Sequence, residues 1–277
     1  MAREVVCLWA LVICAALISS PISAAAQSGE WGDAPEGVLA YPHLGILGQF
    51  PTCFGVPLAP YIYHGPLCWA HFPGQPPAFD FEVDGNAGLC PFPAGVYDQD
   101  ECFIVDAGLM FPDPYTIDQN NNIVLCPNAA PSTLGPTCST AVWGGNIDIM
   151  VANNMPVPGY FNLIIDYDMS GFWGGASTCP TGQAPEHAVI NFNPIPPGYV
   201  GPLSGVPVPG GVPGFLLGPN QGWVWARFTI SEQPVPVPWQ GEGSFEDGET
   251  EDYLLYIGTL PSPVEDSSWG TIKSLYR

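Results

Sequence analysis

The sequence has very few basic side chains. Four Lys and Arg residues stand against 26 Asp and Glu residues in a chain of 277, which gives a formal net charge of -22. Proteins that bind nucleic acid or anionic membrane surfaces neutralise phosphates with Lys and Arg, so we expect neither kind of partner. The acidic excess indicates cations as partners instead.

Long apolar runs are also scarce. The exception, residues 5–18, follows Arg3 and precedes three alanines at 24–26, which is the pattern of a cleaved signal peptide and is too short for a membrane span. We therefore predict that residues 1–26 are a signal peptide and that the rest of the chain has no transmembrane segment. The protein is expected to be secreted or to lie on the cell surface.

Motifs of the common enzyme classes are missing as well. The four His residues show no H-E-x-x-H spacing, no G-x-S-x-G elbow occurs, and the Gly-rich segments lack the Lys of a phosphate-binding loop. Pairs of acidic residues are frequent, so the composition does not exclude a glycoside hydrolase. However, no segment marks one carboxylate as the acid and another as the nucleophile. The sequence predicts a non-catalytic protein.

Seven cysteines follow the signal peptide, and in an exported protein the default is disulfides. They are Cys53, Cys68, Cys90, Cys102, Cys126, Cys138 and Cys179. The first six, taken as successive pairs, are 15, 12 and 12 residues apart, which suits loop staples. The odd count leaves one over, and Cys179 is the candidate, with Cys126 and Cys138 as its alternative partners.

The chain also resists regular helix, because it contains 33 Gly and 34 Pro, while a hydrophobic fraction of 47% provides for a core. From Trp143 onward, apolar and polar residues alternate in short runs bounded by Gly, Pro or Asn, as in β-strands. These runs are 146–151, 160–167, 187–192, 223–230 and 252–257. They predict an all-β fold, an antiparallel β-sandwich with long Pro/Gly-rich loops, stapled by disulfides.

The signal peptide and the distribution of alternating runs divide the chain into four predicted parts. Residues 1–26 are the signal peptide, 27–142 a loop-rich N-terminal part of the β domain, 143–259 the β-sandwich itself, and 260–277 a C-terminal tail. Strands stand on both sides of the Pro/Gly-rich stretch 194–219, so we interpret it as a long loop inside one domain.

The most specific motif is DGETEDY at 247–253, which resembles the D-G-E-V-E-D-Y signature of the GEVED domain of secreted bacterial proteins. Three further segments are similar to that family in the same order: WGDAPE at 31–36, IDYDMSG at 165–171 and ARFTIS at 226–231, where Thr229 replaces an Arg of the family pattern. The resemblance implies a secreted β-sandwich module without established catalysis, and it does not name a ligand.

Three groups of carboxylates are candidate metal ligands. Asp166 and Asp168 alternate before Gly171, as in the first half of a calcium loop, although no bidentate Glu follows at the twelfth position and an EF-hand is rejected. Glu82 and Asp84 precede Gly85 in a similar turn. In the last group, Glu249, Glu251 and Asp252, the like charges repel one another unless a cation or hydrogen-bond donors compensate. The alternative for each group is that its carboxylates are hydrated at the surface, in a turn or at the start of a strand. Calcium is the expected cofactor.

One strand carries two further candidates. The run 223–230 places Val224, Ala226, Phe228 and Ile230 on one face and Trp223, Trp225, Arg227 and Thr229 on the other. Arg227 is the sole cation between residues 27 and 272, and we predict that it pairs with Glu249, Glu251 or Asp252. Trp223 and Trp225 are candidates for stacking on a glycan, with space-filling between loops as the alternative.

These observations predict a secreted or cell-surface structural and adhesion module that is stabilised by calcium. Its partner would be an extracellular or cell-surface component, with a glycan as one candidate. The alternative is a carbohydrate-binding module, which the tryptophans favour, or a glycan-active enzyme, which the pairs of acidic residues favour.

The C-terminal tail generates a prediction of its own. Residues 269–277 contain Lys273 and Arg277 and are similar to short tails that end some exported bacterial proteins, which suggests a sorting or surface-attachment signal; a frayed terminus is the alternative. Deleting residues 269–277 is expected to change the distribution of the protein between cell surface and medium, measured by cell fractionation. An unchanged distribution would exclude the signal.

Overall fold

The structure is a computed structural model that describes residues 29, 31–53, 61–65, 69–73, 102 and 108–260. The predicted signal peptide, Glu82, Asp84 and residues 261–277 of the C-terminal tail lie outside these residues. Helices long and apolar enough to span a membrane are absent from the described part of the chain.

Strands and the loops between them make up the described chain, together with a 3-10 turn at Leu203–Gly205. The strands are β1 (Glu36–Tyr41), β2 (Ile46–Gln49), β3 (Ile62–His64), β4 (Ala70–His71), β5 (Leu109–Phe111), β6 (Tyr115–Ile117), β7 (Ile123–Leu125), β8 (Thr140–Ala141), β9 (Asp148–Asn153), β10 (Gly159–Ile165), β11 (Ala176–Cys179), β12 (Gly182–Pro185), β13 (His187–Ile195), β14 (Tyr199–Pro202), β15 (Phe215–Leu216), β16 (Gly222–Ser231), β17 (Gly243–Phe245) and β18 (Gly248–Ile257).

Two antiparallel sheets form the sandwich. The main sheet has the strand order β13-β10-β16-β18-β6-β7, and the second sheet has the order β14-β9-β4, with β5 also paired to β9. Smaller antiparallel pairs are β1 with β2, β11 with β12 and β8 with β15, whereas β3 and β17 pair in parallel. The predicted all-β antiparallel sandwich is confirmed.

The core between the sheets follows the alternation seen in the sequence. On β16, Val224, Ala226, Phe228 and Ile230 are completely buried and belong to the same hydrophobic cluster as Ile149 and Val151 of β9. Phe161 of β10 joins the two sides, since its ring lies 6.3 Å from that of Phe72 and 6.4 Å from that of Phe228. Burial of these apolar side chains is the main stabilising contribution to the sandwich.

The opposite face of β16 is buried too. Trp225, Arg227 and Thr229 have no exposed surface, because the N-terminal segment 31–53 lies over this part of the main sheet. The indole nitrogen of Trp225 donates to the carbonyl of Ala40 at 3.1 Å, which fixes the β1–β2 hairpin on the sheet. A third layer therefore covers the sandwich where a two-layer architecture would leave the sheet to solvent.

The five predicted strands are β9, β10, β13, β16 and β18, but two expectations from the sequence were wrong. The stretch 194–219 is not a continuous loop, since it contains the end of β13, all of β14, the 3-10 turn and β15. The last strand begins at Gly248 instead of Asp252, so Glu249 and Glu251 lie within a central strand and are buried. Their burial excludes the alternative that these carboxylates are hydrated at the start of the strand.

Strands from both predicted parts of the β domain share the same sheets. From the part that ends at residue 142, β6 pairs with β18, β4 pairs with β9 and β3 pairs with β17. The N-terminal part thus supplies strands to the sandwich and its outer layer.

The two disulfides whose cysteines both lie among the described residues connect segments that are distant in sequence. Cys102 pairs with Cys126, and Cys138 with Cys179, across sequence separations of 24 and 41 residues. Cys179 is therefore not the leftover cysteine; one of its two alternative partners was the right one. Cys53 is disulfide-bonded as well, while Cys68 and Cys90 lie outside the described residues. The expected pairing of Cys126 with Cys138 is wrong, because tertiary packing brings Cys102 to Cys126 and Cys179 of β11 to Cys138.

Arg227 connects the main sheet to the layer above it. Its Nε and Nη2 donate to the two oxygens of Asp252, directly opposite on β18, at 2.8 and 2.6 Å. Nη1 donates to the carbonyls of Pro51 and Gly241, and Nη2 also donates to Thr52 Oγ1. The predicted ion pair is confirmed with Asp252 as the partner, and all five guanidinium N–H groups are satisfied.

We expect Arg227→Met to be strongly destabilising, because it leaves the Asp252 carboxylate buried without its charge partner. The free energy of unfolding should fall by about 3 to 5 kcal/mol in urea titrations. The control is Gln221→Met, which also introduces Met but at an exposed position just before β16. Its free energy of unfolding should stay within about 0.5 kcal/mol of the wild-type value. Equal effects of the two substitutions would contradict this role of Arg227.

Candidate metal centre

The candidate centre begins in the turn that ends strand β10. Asp166 accepts the N–H groups of Ser170 at 3.0 Å and Gly171 at 2.8 Å, and Asp168 accepts the N–H of Ser170 at 2.9 Å. Gly171 has φ +84°, and an added Cβ would collide with the carbonyl oxygen of Leu47, so a residue with a side chain would not fit. The chain therefore folds back with both carboxylates held by its own amides.

Glu186 joins this turn from between β12 and β13. Its backbone carbonyl accepts the N–H of Ile165 at 2.8 Å, and its carboxylate accepts the N–H of Gly174 at 2.8 Å. One ligand oxygen from each of Asp166, Asp168 and Glu186 lies within 4.8 Å of the other two. Three carboxylates from two separate segments thus converge on one point.

Burial makes the charges of this cluster costly. Asp166 and Glu186 have 0% and 1% of their surface exposed, while Asp168 is exposed. Burial raises the pKa of Asp166 to about 7. Burial, followed by the charges of Asp166 and Asp168, raises the pKa of Glu186 to about 8. Arg227, the only Lys or Arg among the described residues, is committed to Asp252, so a proton or a bound cation must compensate these carboxylates.

Tyr41 contacts the cluster, and Tyr167 lies between Asp166 and Asp168 in the sequence. Tyr41 donates its hydroxyl hydrogen bond to Asp166 at 2.9 Å, and its own oxygen accepts the N–H of Trp225 at 3.1 Å. The Tyr167 hydroxyl is fully buried and has no hydrogen-bond partner among the described residues. Burial, followed by the charge of Glu186, raises the pKa of Tyr167.

The donor set suits a hard divalent cation. All three ligands are carboxylates, and neither His nor Cys belongs to the cluster, which favours calcium or magnesium over zinc or copper. Of the predicted ligands, the structure brings together Asp166 and Asp168 and adds Glu186. Sequence analysis missed Glu186, although its position immediately before a predicted strand that could pair with β10 was an available signal.

The carboxylates of the segment 247–253 interact with other groups of the protein. Both oxygens of Asp252 bind Arg227, and Oδ2 also accepts the N–H groups of Asp33 and Ala34 at 2.9 and 2.8 Å. Glu249 accepts the N–H of Phe72, and Glu251 is buried in the same strand. The structure therefore gives Asp252 an ion pair in place of the cation site that the sequence suggested.

The two candidate glycan-stacking tryptophans have different environments. Trp225 is completely buried under the β1–β2 hairpin, so its stacking on a glycan was a wrong prediction. Trp223 is partly exposed and lies in an aromatic cluster with His43, Tyr115 and Tyr256, at ring-centroid distances of 5.3, 6.0 and 5.4 Å. Trp223 remains a candidate.

Comparison with known proteins does not identify a relative. No protein-family model, curated protein or solved structure matches the chain.

The raised pKa of Glu186 predicts a pH dependence in the absence of divalent ions. A carboxyl whose pKa is raised by folding contributes stability that is complete below about pH 4.5 and is lost as the pH rises through about 8. In EDTA, Glu186→Gln should therefore gain melting temperature relative to wild type between about pH 5 and about pH 8.5. Glu246→Gln, which alters an exposed carboxylate, should follow wild type; a constant Glu186→Gln difference would refute the prediction.

Proposed function

We propose that the chain is a secreted or cell-surface structural and adhesion module of the GEVED type, without catalytic activity, whose fold is stabilised by calcium bound to Asp166, Asp168 and Glu186. The observation that carries the proposal is the convergence of these three carboxylates, two of them buried, at a point where no described basic residue compensates them.

Calcium fits the cluster better than magnesium. Calcium accepts irregular shells of six to eight oxygens, whereas magnesium prefers a strict octahedron and keeps several of its waters. The three carboxylates already differ in exposure and in the number of hydrogen bonds that they accept, which suits an irregular shell.

A bound calcium would connect three parts of the fold. Asp166 and Asp168 follow β10, and Glu186 precedes β13, so the ion would close the end of this strand pair. The turn also contacts the N-terminal hairpin, because Gln49 donates its N–H to the carbonyl of Gly171 at 2.5 Å and Tyr41 binds Asp166. The geometry therefore supports a structural role for the ion.

The proposed GEVED relationship is supported by the way the resembling segments meet. Asp33 and Ala34 of WGDAPE donate to Asp252 of DGETEDY, and Arg227 of ARFTIS binds the same carboxylate. The fourth segment, which contains Asp166, joins this assembly through Tyr41 and the N–H of Trp225. Segments that are distant in sequence thus form one contact network, as expected if they are signatures of a single fold.

Other observations support an extracellular, non-catalytic module. Disulfides form chiefly in oxidising compartments. Burial lowers the pKa of His64 to about 3 and that of His187 to about 4, so these side chains are neutral and unsuited to acid–base catalysis at neutral pH. Asp166 and Glu186 of the carboxylate cluster are buried, which argues against direct contact with a substrate.

A carbohydrate-binding module is the second candidate. The aromatic cluster around Trp223 favours it, together with the exposed Gln221, which donates to the hydroxyl of Tyr256 at 3.0 Å. Aromatic rings bordered by amide and hydroxyl groups are suited to sugars.

Calcium binding to the folded chain should raise the melting temperature. At a hundredfold excess over the dissociation constant, the gain is about 2.7 kcal/mol, or on the order of 5 to 10 °C for a chain of this size. We expect this rise when millimolar calcium is added after EDTA treatment, followed by calorimetry at neutral pH with the disulfides intact.

The variants Asp166→Asn and Glu186→Gln should lose most of the calcium-dependent rise. Asp118→Asn is a matched control, because Asp118 is a partly exposed carboxylate that also accepts amides of its own turn, those of Asn120 and Asn122. Identical melting curves of wild type in calcium and in EDTA would exclude the proposed stabilisation.

A further inference from the structure

The aromatic cluster around Trp223 lies at the border of the outer layer. Trp223 and Tyr256 are direct partners on β16 and β18, so their side chains stand on the same face of the main sheet as Trp225. The N-terminal hairpin covers Trp225 completely, whereas Trp223 and Tyr256 are only partly buried. The turn of this hairpin reaches Trp223 through His43, which is exposed. Part of the aromatic surface therefore remains in contact with solvent where the hairpin turns.

Three rings hold Trp223 in place. The rings of His43, Tyr115 and Tyr256 lie at 5.3, 6.0 and 5.4 Å from it, with interplanar angles of 72°, 76° and 67°. Trp223 Nε1 is buried, so any part of the indole that reaches solvent is carbon. Because these rings are packed on two central strands, they lose little conformational freedom when a ligand binds. The cluster is suited to packing against the apolar face of a ligand.

A positioned amide borders the rings. Gln221 is exposed and stands just before β16, and its Nε2 donates to the hydroxyl of Tyr256 at 3.0 Å. Its side chain also lies against the backbone of Gly258, where an added Cβ would stand 2.7 Å from Gln221 Cδ. The bond to Tyr256 uses one N–H of the amide, which leaves the second N–H and the carbonyl oxygen for the hydroxyl groups of a ligand.

We propose that this cluster is the adhesive surface of the module and binds a neutral glycan: the C–H face of a sugar ring packs on Trp223 and Tyr256, and its hydroxyls bind the Gln221 amide and the His43 imidazole. The inference rests on the proposed adhesion role and gives that role a contact surface, a ligand class and a specificity-determining residue, Gln221. It does not depend on the candidate metal centre, and binding involves no covalent step.

The size and composition of the cluster favour a sugar over a protein partner. A stable protein interface buries roughly 800 Å² on each partner, and four side chains, two of them partly buried, offer less than that. Aromatic carbon next to an amide, a hydroxyl and an imidazole matches a sugar ring, which has an apolar C–H face and a rim of hydroxyl groups.

The charge of the chain favours a neutral glycan over an acidic one. The formal net charge is -22, and Arg227, the only Lys or Arg among the described residues, is buried and paired. Burial lowers the pKa of His43, so its imidazole is uncharged at neutral pH. A uronate or a sulfated sugar would therefore find repulsion without a compensating cation, whereas hydroxyl groups are not repelled.

Retention of the chain on immobilised glycans tests the proposal. Mannan, galactan and laminarin are the neutral probes, and polygalacturonate is the acidic probe. We expect retention on at least one neutral glycan and elution by short oligosaccharides of that glycan. Retention should be equal in calcium and in EDTA below the melting temperature, because no carboxylate of the candidate metal centre belongs to the cluster.

Two substitutions separate the aromatic from the polar contacts. Trp223→Ala should weaken binding about tenfold or more, since it removes the surface on which the sugar packs. Gln221→Ala changes an exposed side chain, so it should keep the wild-type melting temperature and weaken binding roughly two- to tenfold through lost hydrogen bonds. The second variant keeps the test decisive if the first one is unstable.

Each substitution has a matched control outside the cluster. Trp69 is 46% exposed, and its N–H donates to Asp247, just before the start of β18 and far along that strand from Tyr256. Gln183 is an exposed amide that donates to the hydroxyl of Thr178 on the neighbouring strand. Trp69→Ala and Gln183→Ala should bind the glycan as wild type does.

Several results would overturn the inference: no retention on any of the neutral glycans, retention on polygalacturonate alone, retention that is lost in EDTA, or equal losses in Trp223→Ala and Trp69→Ala. Self-association that is lost in Trp223→Ala, measured by sedimentation, would assign the cluster to a second copy of the chain and overturn it too. None of these results alters the calcium-dependent rise in melting temperature, so failure of this inference is distinguishable from failure of the proposed calcium-stabilised module.

Discussion

The ion pair between Arg227 and Asp252 organises the fold around it. Two central strands of the main sheet contribute the two charges, and the same groups bind the backbone at Asp33, Ala34, Pro51 and Gly241. Gly32 is part of this packing, because at φ +85° an added Cβ would lie 2.9 Å from Asp252 Oδ2. A buried charge pair is stable only when its remaining donors and acceptors are satisfied, so the outer layer and the pair depend on each other.

The acidic composition has a structural explanation beyond any bound cation. Long Pro/Gly-rich segments leave backbone N–H groups without sheet partners, and buried N–H groups need acceptors. Several buried carboxylates supply them: Glu36 accepts the amides of Thr52 and Cys53, Asp148 that of Ser204, and Asp247 those of Trp69 and Gly248. Carboxylates therefore do in the loops what ladder hydrogen bonds do in the sheets.

The cluster of Asp166, Asp168 and Glu186 differs from these sites. At Glu36, Asp247 and Asp252 the carboxylate accepts amides or binds Arg227, whereas in the cluster carboxylates also converge on one another, and burial raises the pKa values of Asp166 and Glu186. Repulsion among carboxylates lowers the free energy of unfolding of a marginally stable domain unless a bound ligand compensates the charges. For that reason the cluster is the candidate functional site of the described chain.

The sequence by itself determined the class of fold, the principal strands and the partner group of Arg227. These are local or compositional signals: alternation shows in β16 because its core face is wholly apolar, and the order of the predicted strands placed the acids of 249–252 next to Arg227. Tertiary structure decided the rest. Glu186 reaches Asp166 through the pairing of β10 with β13, Trp225 is hidden because the N-terminal hairpin covers its face, and Cys138 finds Cys179 across 41 residues. Such contacts depend on strand order and on which face a distant segment covers, and side-chain periodicity within one strand carries no information about either.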